Sequence, residues 1–147
     1  MNILVLHGPN LNLIGVRSSQ VGEQVTLDKI DRALKNTAHK LDLDITLKTL
    51  QTHFAGKAIT FLQRNRNWAD GLIFSPGPWA KANYDLLDTL KLVQIPMAEV
   101  FFNSDFDSDK FSQSSIFSEV SQFSKIDHPI NAYTSALSEL YYHLSSH

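Results

Sequence analysis

The residues best equipped for chemistry gather at a few turns. Ser75-Pro76-Gly77 is followed by Pro78 and then by Lys81. Backbone N–H groups and the helix dipole favour a negative group at a helix start, so this turn with Lys81 is a candidate site for a small anion. The same residues suit a plain strand-to-helix turn, in which Pro78 withholds one amide donor. His7 and His53 each follow a β-prone run and could reach one rim. Two neutral imidazoles can bind a metal, but no carboxylate stands at a spacing that completes the set, so hydrogen-bonding or structural histidines are expected. Asp105-Phe106-Asp107-Ser108-Asp109 looks like the start of a calcium loop. Lys110 stands where the sharp-turn glycine belongs and Ile116 where the bidentate glutamate belongs, so a solvated acidic loop is expected instead. Phe101, Phe102, Phe106 and Phe111 make the same stretch apolar, suited to plugging a cleft or meeting a partner. His143 and His147, near the end of the chain, read as solvated. The absence of cysteine removes disulfides, thiolate metal ligands and a cysteine nucleophile together.

The elements that position these groups can be read from apolar spacing. Ile3-Leu4-Val5-Leu6, Ile45-Thr46-Leu47, Leu72-Ile73-Phe74 and Met97-Ala98-Glu99-Val100 are short runs of the type found in strands covered on both faces. Helical stripes lie between them: Leu27, Ile30, Leu34 and Leu41; Phe54, Ala58, Phe61 and Leu62; Trp79, Asn83, Leu86, Leu90 and Val93, with Asn83 a polar exception. A last stripe joins Ile130, Tyr133, Leu137, Leu140, Tyr141 and Leu144. Thr26 is an expected N-cap, with Asp28 and Asp31 near the positive helix end. Gln122 to Ile126 is polar enough to be only a final edge strand. Alternation of strand and helix predicts an α/β domain over residues 1–147, with a parallel sheet and helices on both faces. Ligands bind such sheets beyond the carboxyl ends of the strands. The segments 8–24, 51–53, 75–81 and 101–115 should therefore build any site.

Composition sets outer limits. A net charge of −2 leaves no electrostatic footprint for nucleic acid or an anionic membrane. No apolar run approaches the roughly 20 residues needed to span a bilayer. The N-terminus lacks a basic n-region and meets Gly8-Pro9 early, so it reads as a buried strand and not a signal peptide, which makes a cytoplasmic location the expectation.

The run His7-Gly8-Pro9-Asn10-Leu11-Asn12-Leu13-Ile14-Gly15, placed directly after the first strand, resembles the opening of the type II 3-dehydroquinate dehydratases. Arg17, Thr26-Leu27, Ser75-Pro76-Gly77 and Ile95-Pro96-Met97-Ala98-Glu99-Val100 extend the resemblance in order over nearly the whole chain. The resemblance implies a flavodoxin-like three-layer sandwich with a parallel sheet of about five strands. It also implies a homo-oligomer, a trimer or dodecamer, and no metal or cofactor. The family's reaction is an anti elimination of water from 3-dehydroquinate, giving 3-dehydroshikimate in the shikimate pathway. A tyrosinate takes the proton with an arginine nearby lowering its pKa from about 10. An asparagine stabilises the enolate, and a histidine helps the hydroxyl leave.

Transferred position by position, the resemblance keeps Asn10, Arg17 and Glu99 as catalytic-site remnants, with Gly77 and Asp88. The base position is Gly22, with no tyrosine anywhere from Val16 to Gln24. Shifting the alignment would offer Glu23, but an arginine that helps a tyrosine ionise would hold a glutamate's pKa down and weaken it as a base. The histidine position is Phe101. The carboxylate-binding serine is Asn103, whose amide can still donate. The substrate-binding asparagine is Ser75, a histidine position is Lys81, and an arginine position is Ser112. General acid or base assistance is worth about 10²–10⁴-fold per group. Losing base, acid and arginine together predicts an inactive homologue that works by binding, with Ser75, Gly77, Lys81, Asp88 and Asn103 available to a small anionic ligand or an unidentified protein partner. The alternatives are a dehydratase using replacement groups such as Glu23 or Lys81, and a changed reaction with Lys81 as reactive group. Three Asp in the loop after the fourth strand reverse its local field against an anionic substrate.

Overall fold

In a computed structural model that describes residues 1–146, alternating faces of each strand account for two separate cores. Strands β1 (Asn2–His7), β2 (Thr46–Gln51), β3 (Gly71–Ser75), β4 (Met97–Phe102) and β5 (Phe123–Asp127) form one parallel sheet in the order β2-β1-β3-β4-β5. Ile3, Val5, Ile73, Ala98 and Val100 face α2 (Leu27–Leu41) and α5 (Pro129–Ser145), meeting Ile30, Leu34, Ala136 and Leu137. Leu4, Leu6, Leu72, Phe74 and Met97 face α3 (Ala55–Asn65) and α4 (Tyr84–Val93), meeting Ala58, Leu62, Leu86 and Leu90. The continuous apolar runs of β1, β3 and β4 follow from being covered on both sides. This is the three-layer, flavodoxin-like α/β arrangement expected from the sequence, and its strand order reverses between β1 and β3.

Local chemistry sets the element ends. Thr26 caps α2 by accepting the Lys29 N–H at 3.2 Å. The stripe expected to run from Trp79 to Val93 is broken in two. Gly77–Lys81 is a 3-10 turn, and Asn83 caps α4 by accepting the Leu86 N–H at 3.2 Å. The polar exception in that stripe is thus the residue that starts the helix. Phe54, counted on the α3 stripe, precedes that helix and is exposed. Gln122-Ile126 does furnish the edge strand, with β5 beginning at Phe123.

The segment after β1 holds a further short helix, α1 (Ile14–Gln20), where only a loop was expected. Ile14 and Ser18, one turn apart, face inward, and Ser18 Oγ accepts the Val25 N–H at 2.7 Å. The helix closes on Gly22 at φ 76°. Glu23 N donates to Ser18 O at 3.0 Å and Gly22 N to Ser19 O at 3.2 Å, the paired bonds of a Schellman cap. Of the two terminal histidines, His143 packs edge-on against Phe123 with ring centroids 5.5 Å apart, so it is not simply solvated. His147 lies outside the described residues.

Candidate functional site

The β1 and β3 ends are joined main chain to main chain. Gly8 N donates to Ser75 O at 2.8 Å. A Cβ on Gly8 would lie 2.7 Å from Ser75 O and 2.8 Å from Pro76 O, so only glycine permits the approach. Gly77, at φ 54°, then turns the chain away from β3. Above this join opens a cavity of about 250 Å³, at the place where the strand order reverses.

Its walls come from three segments. Pro9, Asn10 and Leu11 with α1 supply one side, Ser75, Gly77 and Pro78 the floor, and the stretch from Val100 to Phe111 the other side. The four phenylalanines line the space without plugging it. Phe101 and Phe106 are buried in the two cores, and Phe111 lies partly buried at the wall. Arg17 spans the site's two sides by donating from Nη1 to Phe106 O at 2.8 Å. Asn10 takes a left-handed conformation (φ 69°), and its N–H donates to His53 Nδ1 at 3.4 Å.

Asp107 is the polar wall residue that sequence reasoning missed. Expected in a solvated acidic loop, it is only 5% exposed. Oδ2 accepts the Phe111 N–H at 2.9 Å, and no protein donor reaches Oδ1. Nothing in the sequence separates it from Asp105 and Asp109, which are exposed; its distinction is structural, since the chain turns back through Lys110 (φ 54°) and brings the Phe111 N–H onto its carboxylate. Gln20 also reaches the wall, because α1 winds it there.

Several expected site residues lie elsewhere. Glu99 is fully buried and accepts hydrogen bonds from Ser115 Oγ (3.1 Å), Ser118 Oγ (2.5 Å) and Ser124 Oγ. It fastens the loop after β4 to β5 and contributes nothing to the cavity wall. Lys81 is exposed and donates to Gln113 O; Asp88 is exposed on α4; neither lines the cavity. Asn103 accepts the Phe106 and Asp107 N–H groups through its own carbonyl at 2.9 and 3.0 Å, and so shapes the loop from outside the wall. Glu23 pairs with His128 at 3.3 Å and is likewise off the wall, as are Gly22 and Ser112. Among the expected residues, Asn10, Arg17, Ser75, Gly77 and Phe101 are brought together.

Behind the floor lies a buried polar array. His7 sits between Tyr133 Oη, 2.6 Å from Nδ1, and Asp31 Oδ1, 2.9 Å from Nε2. A carboxylate at Asp31 only accepts, so the Nε2–H of His7 donates to it, and the ring bridges Asp31 and Tyr133. Burial pushes the Tyr133 phenol far above the usual tyrosine range; the nearby Ser75 hydroxyl opposes this and the Asp31 charge adds to it. Tyr133 is therefore held protonated. Ser75 Oγ itself is buried without a well-directed hydrogen bond. The array was signalled by Asp31, a carboxylate on the apolar stripe between Leu27 and Leu34. His7, with both ring nitrogens engaged here, does not pair with the exposed His53, and no cluster of three metal-ligating side chains occurs among the described residues. No described helix is long and apolar enough to cross a membrane.

Residues 1–141 match the sequence family described as Dehydroquinase class II. A 3-dehydroquinate dehydratase of Dictyoglomus turgidum is 30% identical over 141 residues, covering 96% of each chain. One from Roseiflexus castenholzii is 37% identical over 120 residues, covering 82% of this chain and 75% of that one. The crystal structure of a type II dehydroquinase from Butyrivibrio crossotus superposes with a TM-score of 0.83 at 24% identity, covering 96% of this chain and 97% of that one.

Proposed function

The chain belongs to the type II dehydroquinase family, and from that premise we propose that it has lost the family's dehydration reaction and acts by holding a small ligand in the cavity it retains. One observation carries this reading. Among the described residues, the titratable side chains on the cavity wall are Arg17 and Asp107, with no tyrosine and no histidine. At the position that resembles the family's base, Gly22 is a left-handed helix cap exposed to solvent. The position that resembles its histidine is Phe101, whose ring is packed in the core. Asn10 and Arg17 remain able to polarise a bound carbonyl, but polarisation without proton transfer forgoes about 10²–10⁴-fold for each missing acid or base.

Replacement of the lost groups has little support. Glu23 is paired with His128 and Lys81 with Gln113 O, both off the wall, and Tyr133 is buried and protonated. The purified protein incubated with 3-dehydroquinate should give no rise in enone absorbance above the uncatalysed rate. Clear turnover that vanishes in Asn10→Ala would sink the proposal.

A further inference from the structure

The cavity sets one open cation beside a hydrocarbon wall. Leu11, Ile14, Val100, Phe102, Phe106 and Phe111 supply most of that wall. A dry cavity of about 150 Å³ accommodates a benzene ring, so about 250 Å³ holds one six-membered ring with a small substituent. Arg17 stands on the same wall and is exposed, so a solute can reach it. Its guanidinium carries several N–H donors in a planar fork, and one nitrogen, Nη1, is spent on Phe106 O. Among the described residues no carboxylate lies within ion-pair distance of Arg17. The tyrosine that an arginine assists in the family it resembles is missing from Val16 to Gln24, so this charge has no internal counterpart.

The acidic loop after β4 opposes an anion less than its composition implies. Asp107 is 5% exposed; its Oδ2 accepts the Phe111 N–H and its Oδ1 is enclosed by protein. Asp105 and Asp109 are exposed and off the wall, where solvent and salt screen them. Asn103, at the position that resembles the family's carboxylate-binding serine, is also off the wall, so a carboxylate in this cavity has Arg17 as its partner.

We infer that the cavity binds a small monocarboxylate with an apolar, single-ring body, its carboxylate on the uncommitted edge of the Arg17 guanidinium and its ring against Phe102, Phe106 and Phe111. The inference rests on the reading of the site as a binding site without dehydratase activity. Ser75 Oγ is enclosed, which leaves Asn10 and Gln20 as the uncharged polar side chains open to the cavity. A ring carrying several hydroxyls would leave some of them facing hydrocarbon, without the hydrogen bonds they make in water. That separates this class from polyhydroxylated acids.

Cyclohexanecarboxylate, cyclohexanecarboxamide and quinate share one ring skeleton and test the two halves separately. In ligand-observed NMR titrations of the full chain at low salt, the carboxylate should bind about fivefold tighter than the amide, the upper range for a solvent-exposed ion pair. Sodium chloride at about 0.5 M should narrow that gap. Quinate, which adds ring hydroxyls to the same carboxylate, should bind at least about tenfold more weakly than cyclohexanecarboxylate. Arg17→Met keeps the apolar stem, removes the charge and should abolish the carboxylate's advantage over the amide. Equal binding of carboxylate and amide to the parent protein overturns the inference. So does quinate binding as tightly as cyclohexanecarboxylate, or an advantage that persists in folded Arg17→Met. The parent comparisons need no variant to fold. A turnover assay on the same preparation separates the two claims: turnover of 3-dehydroquinate defeats the loss-of-reaction reading, whereas absence of turnover with either parent comparison failing defeats only the ligand class.

Discussion

Gly22 occupies φ 76° at the end of α1, with its N–H and that of Glu23 closing the last turn. Position 22 is therefore set by a backbone conformation as well as by the absence of a side chain. Gly22→Tyr should cost about 1–2 kcal/mol, the penalty for placing a Cβ in the left-handed region, read as a lower urea midpoint. It should not create turnover of 3-dehydroquinate, because the cap is exposed and off the cavity wall. Lone residues were the least legible part of the sequence. Glu99 sits in a run that resembles a catalytic segment, yet its carboxylate is consumed by three serines from the following loop and β5. Asp107 sits among three look-alike aspartates and differs from the others only by a turn that no spacing rule announces.

At the scale of elements, periodicity carried most of the information. β1, β3 and β4 were legible because burial on both faces demands unbroken apolar runs, and α2 because Leu27, Ile30, Leu34 and Leu41 fall near one helical face. The failures have local causes. α1 is only seven residues long with two buried positions, too short for a periodic signal. The break before α4 is masked in the sequence because Asn83, which begins the helix, falls at the spacing of the stripe. Asn83→Ala should lower stability by about 1 kcal/mol, the usual cost of losing such a cap, measured by thermal or urea unfolding. Because Lys81 lies on the other side of this break, the 3-10 turn and α4 do not form one helix whose dipole could serve an anion at Ser75-Pro76-Gly77.

The whole molecule exposes two sheet edges, β2 and β5, and each is guarded by a lysine. Lys48 donates to Asn65 Oδ1 at 2.8 Å and lies 4.1 Å from the Trp68 ring centre, and Lys125 pairs with Glu139. Charged edges oppose strand-to-strand stacking between copies. The trimer or dodecamer implied by the family resemblance is a closed assembly, and light scattering of the purified chain should return one of these with no larger open aggregates. Within each copy, the join of Gly8 to Ser75 and Pro76 uses only atoms that every sequence possesses. Provided position 8 stays glycine, this join holds whatever side chains surround it, so those around the cavity can be exchanged one at a time while the β1 and β3 ends stay together. A site built this way can change occupation without being rebuilt, and its cavity can outlast the chemistry for which it was first used.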